Sequence, residues 1–282
     1  MITLIEQQKK MIGMGNSGCT IELIQGDPLI VKKTALSTYT DRLNNQRIKQ
    51  QNFSCPISNI RIPRILSFDQ HSFTMELLPM LDAIEFFERS EPKTIQARLN
   101  ILIDFVRWEI KHSNAILIDE ILFHEKLSTI KSLVATDVWE SYYASYEEKF
   151  VHYLPSQMQF PIGNCHGDLT LSNIMFSIRE NQIGMIDFLD SFINSPLVDL
   201  AKLLQDVRFN WSSHRFPLPH DRGKIRIINS WLYRLLQQEF SKEINTPPFL
   251  VIQMMNYFRI IPYVRSQADH RYLTNVLAQI SL

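Results

Sequence analysis

The sequence predicts an α+β fold in which a small sheet-rich part, residues 1–78, precedes a larger and mainly helical part, residues 79–282. Two observations support this class. Before Pro79, short apolar segments alternate with polar residues, as in strands; beyond it, apolar residues recur about every 3.6 residues, as in helices. Because proline interrupts both strand ladders and helices, Pro79 is the expected boundary between two lobes.

The first part contains four predicted strands and one predicted helix. The strands are expected at 20–24, 29–33, 60–68 and 71–78, with turns between the members of each pair. The helix is expected at 38–53, where threonines able to cap a helix precede a polar stretch with spaced apolar residues.

In the second part the clearest helix is predicted for residues 94–112, whose apolar residues form one stripe. Further helical patterns occupy the segments 125–134, 137–153, 197–211, 222–240, 248–264 and 272–280. No internal repeat interrupts them. This part is therefore expected to be a helical lobe that also contains one pair of strands, at 173–188.

The composition limits the partners. Lys+Arg and Asp+Glu both number 29, so no net charge favours nucleic acid or an acidic membrane surface. The N-terminus lacks an apolar signal core, and no apolar run reaches the roughly 18 residues of a membrane helix. The cysteines, at 19, 55 and 165, form neither a disulfide framework nor a zinc spacing, and they predict a reducing cytoplasm.

The chemistry is expected in the stretch that begins at His166-Gly167-Asp168. This tripeptide opens a short polar loop, and Asn173 closes the loop at the start of an apolar run. A second apolar run ends in Asp187, so the two runs predict a β-hairpin. With a two-residue turn at 180–181, Asp187 would face Ile174 and lie beside Asn173.

The hairpin would bring two oxygen ligands together. The amide oxygen of Asn173 and the carboxylate of Asp187 suit Mg²⁺, which takes the rest of its ligands from waters and phosphates. Asp168, at the other end of the loop, would orient an incoming hydroxyl. Phosphoryl transfer needs this arrangement, because it depends on positioning and charge neutralisation.

This ordered set resembles the catalytic loop and metal-binding aspartate of the protein-kinase-like superfamily. The His-Gly-Asp form, with Asn173 and then Ile186-Asp187-Phe188, is most similar to the aminoglycoside phosphotransferase and choline kinase branch. The resemblance implies a bilobal protein-kinase-like fold, ATP or GTP with Mg²⁺ as cofactors, and a small-molecule hydroxyl as acceptor. It also implies that Asp199 braces the catalytic loop.

Residues near the N-terminus fit the same resemblance. Gly13, Gly15 and Gly18 have the spacing Gly-x-Gly-x-x-Gly, which by itself is weak evidence. A dinucleotide-binding fold would place a helix after them, whereas this sequence predicts a strand. With Ser17 they therefore form the expected phosphate-binding loop, where glycine lets backbone N–H groups approach phosphates closely.

The resemblance implies further nucleotide contacts. The lysine of an apolar-Val-Lys strand holds the α and β phosphates, which selects Lys32. Its neighbour Lys33 is the alternative, because adjacent strand residues face opposite sides. Glu76 and Leu77, at the crossing between the lobes, are implied to offer backbone groups to adenine.

One departure from the family pattern concerns the helix at 38–53, which should carry a glutamate partner for the lysine. No glutamate lies between Glu22 and Glu76. Gln46 occupies the aligned position, and Asp41 is an alternative from the first turn. A neutral amide holds an ammonium group less strongly than a carboxylate does.

The missing glutamate motivates an alternative function, a nucleotide-binding regulatory module without turnover. A metal-dependent hydrolase with His166, Asp168 and Asp187 as ligands is another alternative, although it leaves the glycines and Lys32 without a role. A protein-kinase activity is less favoured because of the His-Gly-Asp form.

The acceptor is expected to be a sugar, an amino alcohol or an aminoglycoside-like compound. Similarity of the runs 84–88 and 194–206 to phosphotransferases linked to bacterial surface polysaccharides is a weak hint toward the first two. Residues available to bind the acceptor are Arg208, Phe209, Trp211, Arg215, Trp231, Tyr257, Arg259 and Tyr263.

Overall fold

The structure is a computed structural model that describes residues 19–26, 29–216, 218–264 and 266–280. The expected phosphate-binding loop, with Gly13, Gly15, Ser17 and Gly18, lies outside the described residues. The chain forms two compact units. The first comprises the described residues up to Phe105 together with His166–Ser191 and Phe216–Ile225; the second comprises Val106–Cys165, Phe192–Arg215 and the residues from Arg226 onward. A boundary between lobes at residue 79 stays a prediction.

The first unit contains an antiparallel sheet of four strands in the order β1-β2-β5-β4. These strands are β1 (Cys19–Ile24), β2 (Ile30–Ala35), β4 (Ile65–Phe68) and β5 (Ser72–Glu76). Alternate residues of β2 are buried, and Val31 and Ala35 pack with Phe73 and Met75 in a small core. Lys33 lies between these two apolar residues on the same buried face, so the alternation of β2 places a lysine inside.

The segment 60–68, expected to be one strand, is two. β3 (Ile60–Arg61) joins a different sheet from β4. Pro63 lies between them, and a proline cannot donate to a strand ladder. The turn predicted at Asp69-Gln70 is confirmed, since the Asp69 carboxylate accepts hydrogen bonds from the backbone N–H groups of His71 at 2.8 Å and Ser72 at 2.7 Å.

Helix α1 (Thr40–Asn52) confirms the helix expected at 38–53. Its buried residues are Leu43, Gln46 and Gln50, so its inner face is largely polar. The side chain of Gln50 donates a hydrogen bond to the carbonyl oxygen of Pro63 at 2.8 Å. Polar contacts as well as apolar packing therefore fix α1 in the first unit.

A second sheet in the first unit has the order β3-β10-β9-β6 and contains the predicted hairpin. Its other strands are β6 (Leu81–Asp82), β9 (Ile174–Phe176) and β10 (Ile183–Met185). β9 and β10 pair antiparallel, and β3 pairs parallel with β10. The hairpin is thus built into a small sheet whose other strands come from the first third of the chain.

The pairing expected between Asp187 and Ile174 is wrong. Met185 faces Ile174, and the Ser177 N–H donates to the Gln182 carbonyl, so a longer loop replaces the two-residue turn. The register is shifted by two residues. Because strand side chains alternate with a period of two, such a shift keeps every side chain on its expected face.

A short helix, α2 (Ala83–Arg89), was not predicted. The Asp82 carboxylate caps it by accepting from the Glu85 N–H at 3.0 Å, and Phe86 stacks on Phe176 of the hairpin with ring centroids 4.8 Å apart. At seven residues the helix is too short to show a clear 3.6-residue period. The helix packs against β9 through this aromatic contact.

Helix α3 (Pro92–Lys111) begins in the first unit and continues into the second. The other helices are α4 (Ile121–Lys131), α5 (Thr136–Tyr142), α6 (Ala144–Tyr153), α7 (Pro196–Phe209), α8 (Trp211–Arg215), α9 (Arg222–Glu239), α10 (Ser241–Ile244), α11 (Pro247–Phe258) and α12 (Gln267–Leu277). Each predicted helical segment thus contains at least one helix, although 137–153 is two helices rather than one.

The second unit also contains a two-stranded antiparallel sheet of β7 (Asn114–Asp119) and β8 (Gln157–Ile162) that the sequence did not reveal. Three helices separate its strands along the chain, so no short hairpin signal exists. Among the described residues, no helix is both long and apolar enough to cross a membrane.

Candidate active site

Lys33 is the lysine that contacts other candidate site residues. Its Nζ donates hydrogen bonds to Oε1 of Gln46 at 3.0 Å and to Oδ1 of Asp187 at 2.8 Å. Only 1% of the Lys33 side chain is exposed. Lys32 lies on the opposite face of β2, where it is half-buried. The geometry therefore favours Lys33, the alternative in the sequence analysis, over Lys32.

Gln46 lies where the sequence alignment with the family pattern placed the partner of the lysine. It is buried on the inner face of α1, whereas Asp41, in the first turn, is exposed. Lys33 therefore has a neutral amide on the helix side and a carboxylate on the hairpin side. A buried ammonium group requires such a charged partner, and Asp187 provides it.

His166 braces the catalytic loop. It is fully buried, its Nδ1 accepts from the Asp168 N–H at 3.2 Å, and its Nε2 bonds to the Ile186 carbonyl at 2.8 Å. These partners assign the neutral tautomer with the proton on Nε2. The His166 carbonyl also accepts from the Leu189 N–H at 3.0 Å. The residue thus ties the start of the loop to the segment around Asp187.

Gly167 adopts a backbone conformation that requires glycine. Its φ is 87°, and an added Cβ would lie only 2.0 Å from the backbone oxygen of Leu189. A contact this close to backbone cannot be relieved by rotating a side chain. The glycine therefore allows the catalytic loop to lie directly against the segment that follows Asp187.

Asp168 and Asn173, at the two ends of the loop, contact each other. The Asn173 Nδ2 donates to the backbone oxygen of Asp168 at 2.8 Å and to its Oδ2 at 3.0 Å. Because the NH₂ group of Asn173 faces Asp168, the amide oxygen of Asn173 points away from Asp168. Within the loop, the Asn173 N–H donates to the carbonyl of Thr170 at 2.9 Å. The loop is closed by its own polar groups.

Asp187 follows β10 in a left-handed backbone conformation, with φ of 60°. This conformation is uncommon for residues other than glycine and is found disproportionately at functional sites. About a third of the Asp187 side chain, 32%, is exposed. Just before it, the Ile186 N–H donates to the Asn173 carbonyl at 3.1 Å, which keeps Asp187 close to the end of the loop.

The other candidate residues of the first unit are placed as follows. The Glu76 N–H donates to the Arg64 carbonyl at 3.0 Å and is therefore already engaged, and a contact of Glu76 with adenine stays a prediction. Hydrogen bonds from Arg64 lower the pKa of the Glu76 carboxyl below its usual value. Leu77 is half-buried.

In the second unit, Asp199 is fully buried in the first turn of α7, and its bracing role stays a prediction. A pocket of about 200 Å³ is lined by Trp211 and Tyr263, two of the acceptor-site candidates, together with Asp269 and Tyr272. The sequence analysis missed the last two because nothing in their local pattern distinguishes them from other surface residues of a helix.

Tyr257, another acceptor-site candidate, is a core residue. Only 2% of it is exposed, its ring packs edge-on against Phe209, and burial raises the pKa of its hydroxyl. Its hydroxyl has no hydrogen-bond partner among the described residues.

Solved structures with a similar fold include small-molecule kinases. A thermostable mutant of aminoglycoside phosphotransferase APH(4)-Ia in complex with AMP-PNP and hygromycin B has a TM-score of 0.60 and 11% identity, over 94% of this chain and 90% of that one. The streptomycin-ATP-APH(2")-IIa complex has a TM-score of 0.52 and 16% identity, over 98% and 95%. Glucosamine kinase has a TM-score of 0.51 and 13% identity, over 97% and 81%. At these identities the likeness establishes the fold, which is the predicted protein-kinase-like α+β fold.

A model of the phosphotransferase enzyme family, APH, matches residues 129–227 of this chain. The match includes Asp168, Asn173 and Asp187, and it leaves out Lys33 and Gln46. No curated protein matches the sequence. The family match confirms the resemblance inferred from the catalytic loop. With the fold, it supports the predicted class of enzyme, an ATP-dependent small-molecule kinase.

The first prediction concerns Gly167. Gly167→Ala should lower the free energy of unfolding by at least about 2 kcal/mol, because the positive φ and the backbone contact with Leu189 both oppose a Cβ. Chemical denaturation measures this change. Gly223→Ala is the matched control: Gly223 lies on an exposed part of α9, and an added Cβ would lie 3.2 Å from Oδ1 of Asp221, the end of an exposed side chain that can shift. The free energy of unfolding should therefore change by less than about 1 kcal/mol. Equal stability of the Gly167→Ala variant and the unmodified protein would contradict the loop geometry described above.

Proposed function

We propose that this protein transfers the terminal phosphoryl group of ATP to a hydroxyl group of a small molecule, with Mg²⁺ as cofactor. The observation that supports this most strongly is the contact of Lys33 with Asp187, in the same unit as the contact of Asp168 with Asn173. A cation for phosphates, a carboxylate for a metal and a second carboxylate for the acceptor are the groups that phosphoryl transfer requires.

The residues present fit Mg²⁺. Asp187 offers a partly exposed carboxylate, and Asn173 offers an amide oxygen whose NH₂ group is already engaged with Asp168. Both are hard oxygen donors, and two protein ligands suit a metal that keeps waters and binds phosphates. Mg²⁺ held there would neutralise charge on the phosphates during transfer.

The other roles follow from charge and position. Lys33 holds the phosphates nearest the sugar of the nucleotide. Asp168 orients the acceptor hydroxyl and accepts its proton late in a loose transition state, when bond formation to phosphorus has made that hydroxyl acidic. His166 and Gly167 hold the loop in the geometry in which Asp168 can act. We propose ATP rather than GTP because AMP-PNP and ATP are the nucleotides named for the similar complexes.

The two alternatives from the sequence have less support. A metal-dependent hydrolase would need His166 as a ligand, but both of its ring nitrogens bond to backbone groups. A nucleotide-binding module without turnover was suggested by the missing glutamate. Lys33 nevertheless keeps a charged partner in Asp187, and the Asp168–Asn173 contact is in place, so we favour catalysis.

We further propose that the pocket of the second unit binds an organic amine, such as an amino alcohol, an amino sugar or an aminoglycoside. The support is the pocket of the second unit, which combines the rings of Trp211, Tyr263 and Tyr272 with the carboxylate of Asp269. Aromatic faces and a carboxylate together attract an organic cation. A link to surface polysaccharide has no support beyond the weak sequence hint.

The two site aspartates should differ in their effects. Asp168→Asn should reduce phosphotransfer at least about a thousandfold and leave Mg-ATP binding nearly unchanged, because Asp168 acts on the acceptor. Asp187→Ala should weaken Mg-dependent ATP binding at least tenfold, because it removes a metal ligand. Calorimetric titration and a nucleotide-consumption screen over sugars, amino alcohols and aminoglycosides measure the two effects. Asp137→Asn, on the exposed first turn of α5, is the control. Full turnover by both site variants would refute these roles.

Adjacent lysines of β2 provide a matched pair. Lys33→Met should weaken ATP binding by about tenfold or more, since it removes the buried cation at the site. Lys32→Met should change ATP binding less than about twofold, because Lys32 faces the other side of the strand. Titration of both variants with Mg-ATP makes the comparison. If Lys32→Met weakened ATP binding more than Lys33→Met did, Lys32 rather than Lys33 would be the phosphate ligand.

The pocket is tested by binding alone. Titration with a hydroxylated amine such as ethanolamine or glucosamine should show saturable binding, and Asp269→Asn should weaken it about three- to tenfold through loss of the carboxylate. Glucose, the matched uncharged compound for glucosamine, should bind no more weakly to the variant than to the unmodified protein. Equal binding of the amine and the uncharged compound would contradict the proposed amine-binding role of this pocket.

A further inference from the structure

Helix α1 presents a second polar side chain to the site besides Gln46. Lys49 lies three residues further along, on the same side of the helix, because residues three apart are neighbours on a helix surface. Lys49 is half-buried, and its Nζ donates a hydrogen bond to the carbonyl oxygen of Leu189 at 2.8 Å. Leu189 follows Asp187 by two residues. One helix therefore contacts both the site lysine and the segment that carries the proposed metal ligand.

The ammonium group of Lys49 lies where this segment meets the catalytic loop. The Leu189 N–H donates to the His166 carbonyl at 3.0 Å. A Cβ added to Gly167 would lie 3.0 Å from Nζ of Lys49, as well as 2.0 Å from the Leu189 oxygen. Since the donor is charged, the bond from Lys49 to Leu189 is stronger than a bond between neutral groups.

Besides the apolar packing of Leu43, three polar side chains connect the inner face of α1 to the rest of the first unit. Their contacts are the hydrogen bonds of Gln46 with Lys33, of Gln50 with the carbonyl oxygen of Pro63, and of Lys49 with the carbonyl oxygen of Leu189. Two of these three reach the candidate active site. The position of α1 is thereby coupled to the lysine on one side and to the Asp187 segment on the other.

The Asp187 segment needs such support. A left-handed φ at a residue other than glycine persists only when the surrounding structure holds it. The Ile186 N–H is bonded on one side of Asp187, and both backbone polar groups of Leu189 are bonded on the other. The bond from Lys49 is the only one of these supplied by a charged side chain.

We propose that Lys49 is a positioning residue that holds residues 187–189 in the conformation that presents the Asp187 carboxylate to Lys33 and to Mg²⁺. The role of Lys49 in Mg²⁺ binding rests on the function proposed above. Its role in holding the conformation of residues 187–189 is independent of that function. Groups that orient a metal ligand without touching the metal typically change metal affinity by about 10- to 100-fold when they are removed. In this chain the helix that lacks the expected glutamate contributes a cation to that task.

The structural part is tested without nucleotide or metal. Hydrogen exchange at the Leu189 amide, followed by NMR, should be at least about tenfold faster in Lys49→Met than in the unmodified protein. Lys49→Arg, which keeps a charged donor, should restore slow exchange. The control is Lys93→Met, because Lys93 lies on the exposed first turn of α3. In this variant the Leu189 amide should exchange as slowly as in the unmodified protein. Unchanged exchange in Lys49→Met would overturn the proposal.

The functional part is tested by the Mg²⁺ dependence of binding of a fluorescent ATP analogue. In Lys49→Met the Mg²⁺ concentration for half-maximal binding should rise about tenfold, whereas binding without Mg²⁺ should change little. Lys49→Arg and Lys93→Met should both resemble the unmodified protein. A lower melting temperature with an unchanged Mg²⁺ dependence would show that Lys49 is merely structural and would overturn the proposal.

The two measurements separate the proposals from each other. If the unmodified protein binds no nucleotide, the proposed function fails, while the exchange experiment still decides whether Lys49 positions the segment. If the unmodified protein binds Mg-ATP and Lys49→Met binds it with the same Mg²⁺ dependence, the proposed function stands and the role of Lys49 fails.

Discussion

The ion pair between Lys33 and Asp187 is the interaction on which the candidate site depends. Its members are 154 positions apart in the chain, one on strand β2 and the other just after strand β10. The ammonium group is buried, and a buried charge is strongly unfavourable without a partner. The register of β2, the polar inner face of α1 and the end of the hairpin must therefore all be compatible with this one contact.

The ion pair also explains how the site can accommodate the absence of a glutamate on α1. A carboxylate at position 46 would give Lys33 a second negative partner within the fold. With glutamine there, the negative charge beside Lys33 comes from Asp187, which on the proposed function is also the metal ligand. On the proposed function, phosphates would lie between Lys33 and Mg²⁺ and would relieve the repulsion between the two cations.

Much of the site was predictable because its residues lie close together in the sequence. The order His166-Gly167-Asp168, Asn173 and Asp187 specifies a loop and a hairpin, and the two-residue error in register did not change the face of the hairpin on which each side chain lies. Gln46 was found because it occupies the position of the family's glutamate on the predicted helix. Lys33 was not preferred over Lys32, because the sequence motif names the lysine after valine, whereas burial of Val31 and Ala35 decides which face of β2 is inside.

Other features could not be predicted because they depend on contacts between distant segments. The pairing of β7 with β8 joins strands separated by three helices, and β3 joins the hairpin sheet from the first third of the chain. Helix α2 is specified by the Asp82 cap and by packing on Phe176 rather than by a repeating pattern. The contact of Lys49 with Leu189 requires knowledge of where α1 lies in the first unit, which sequence spacing does not provide.

The most direct test of the central claim is a crystal structure of the protein with Mg²⁺ and a non-hydrolysable ATP analogue. The proposed function predicts Mg²⁺ bound by the Asp187 carboxylate and the Asn173 amide oxygen, with Nζ of Lys33 in contact with phosphate oxygens. Phosphates bound away from Lys33, or a metal held by neither Asp187 nor Asn173, would contradict it.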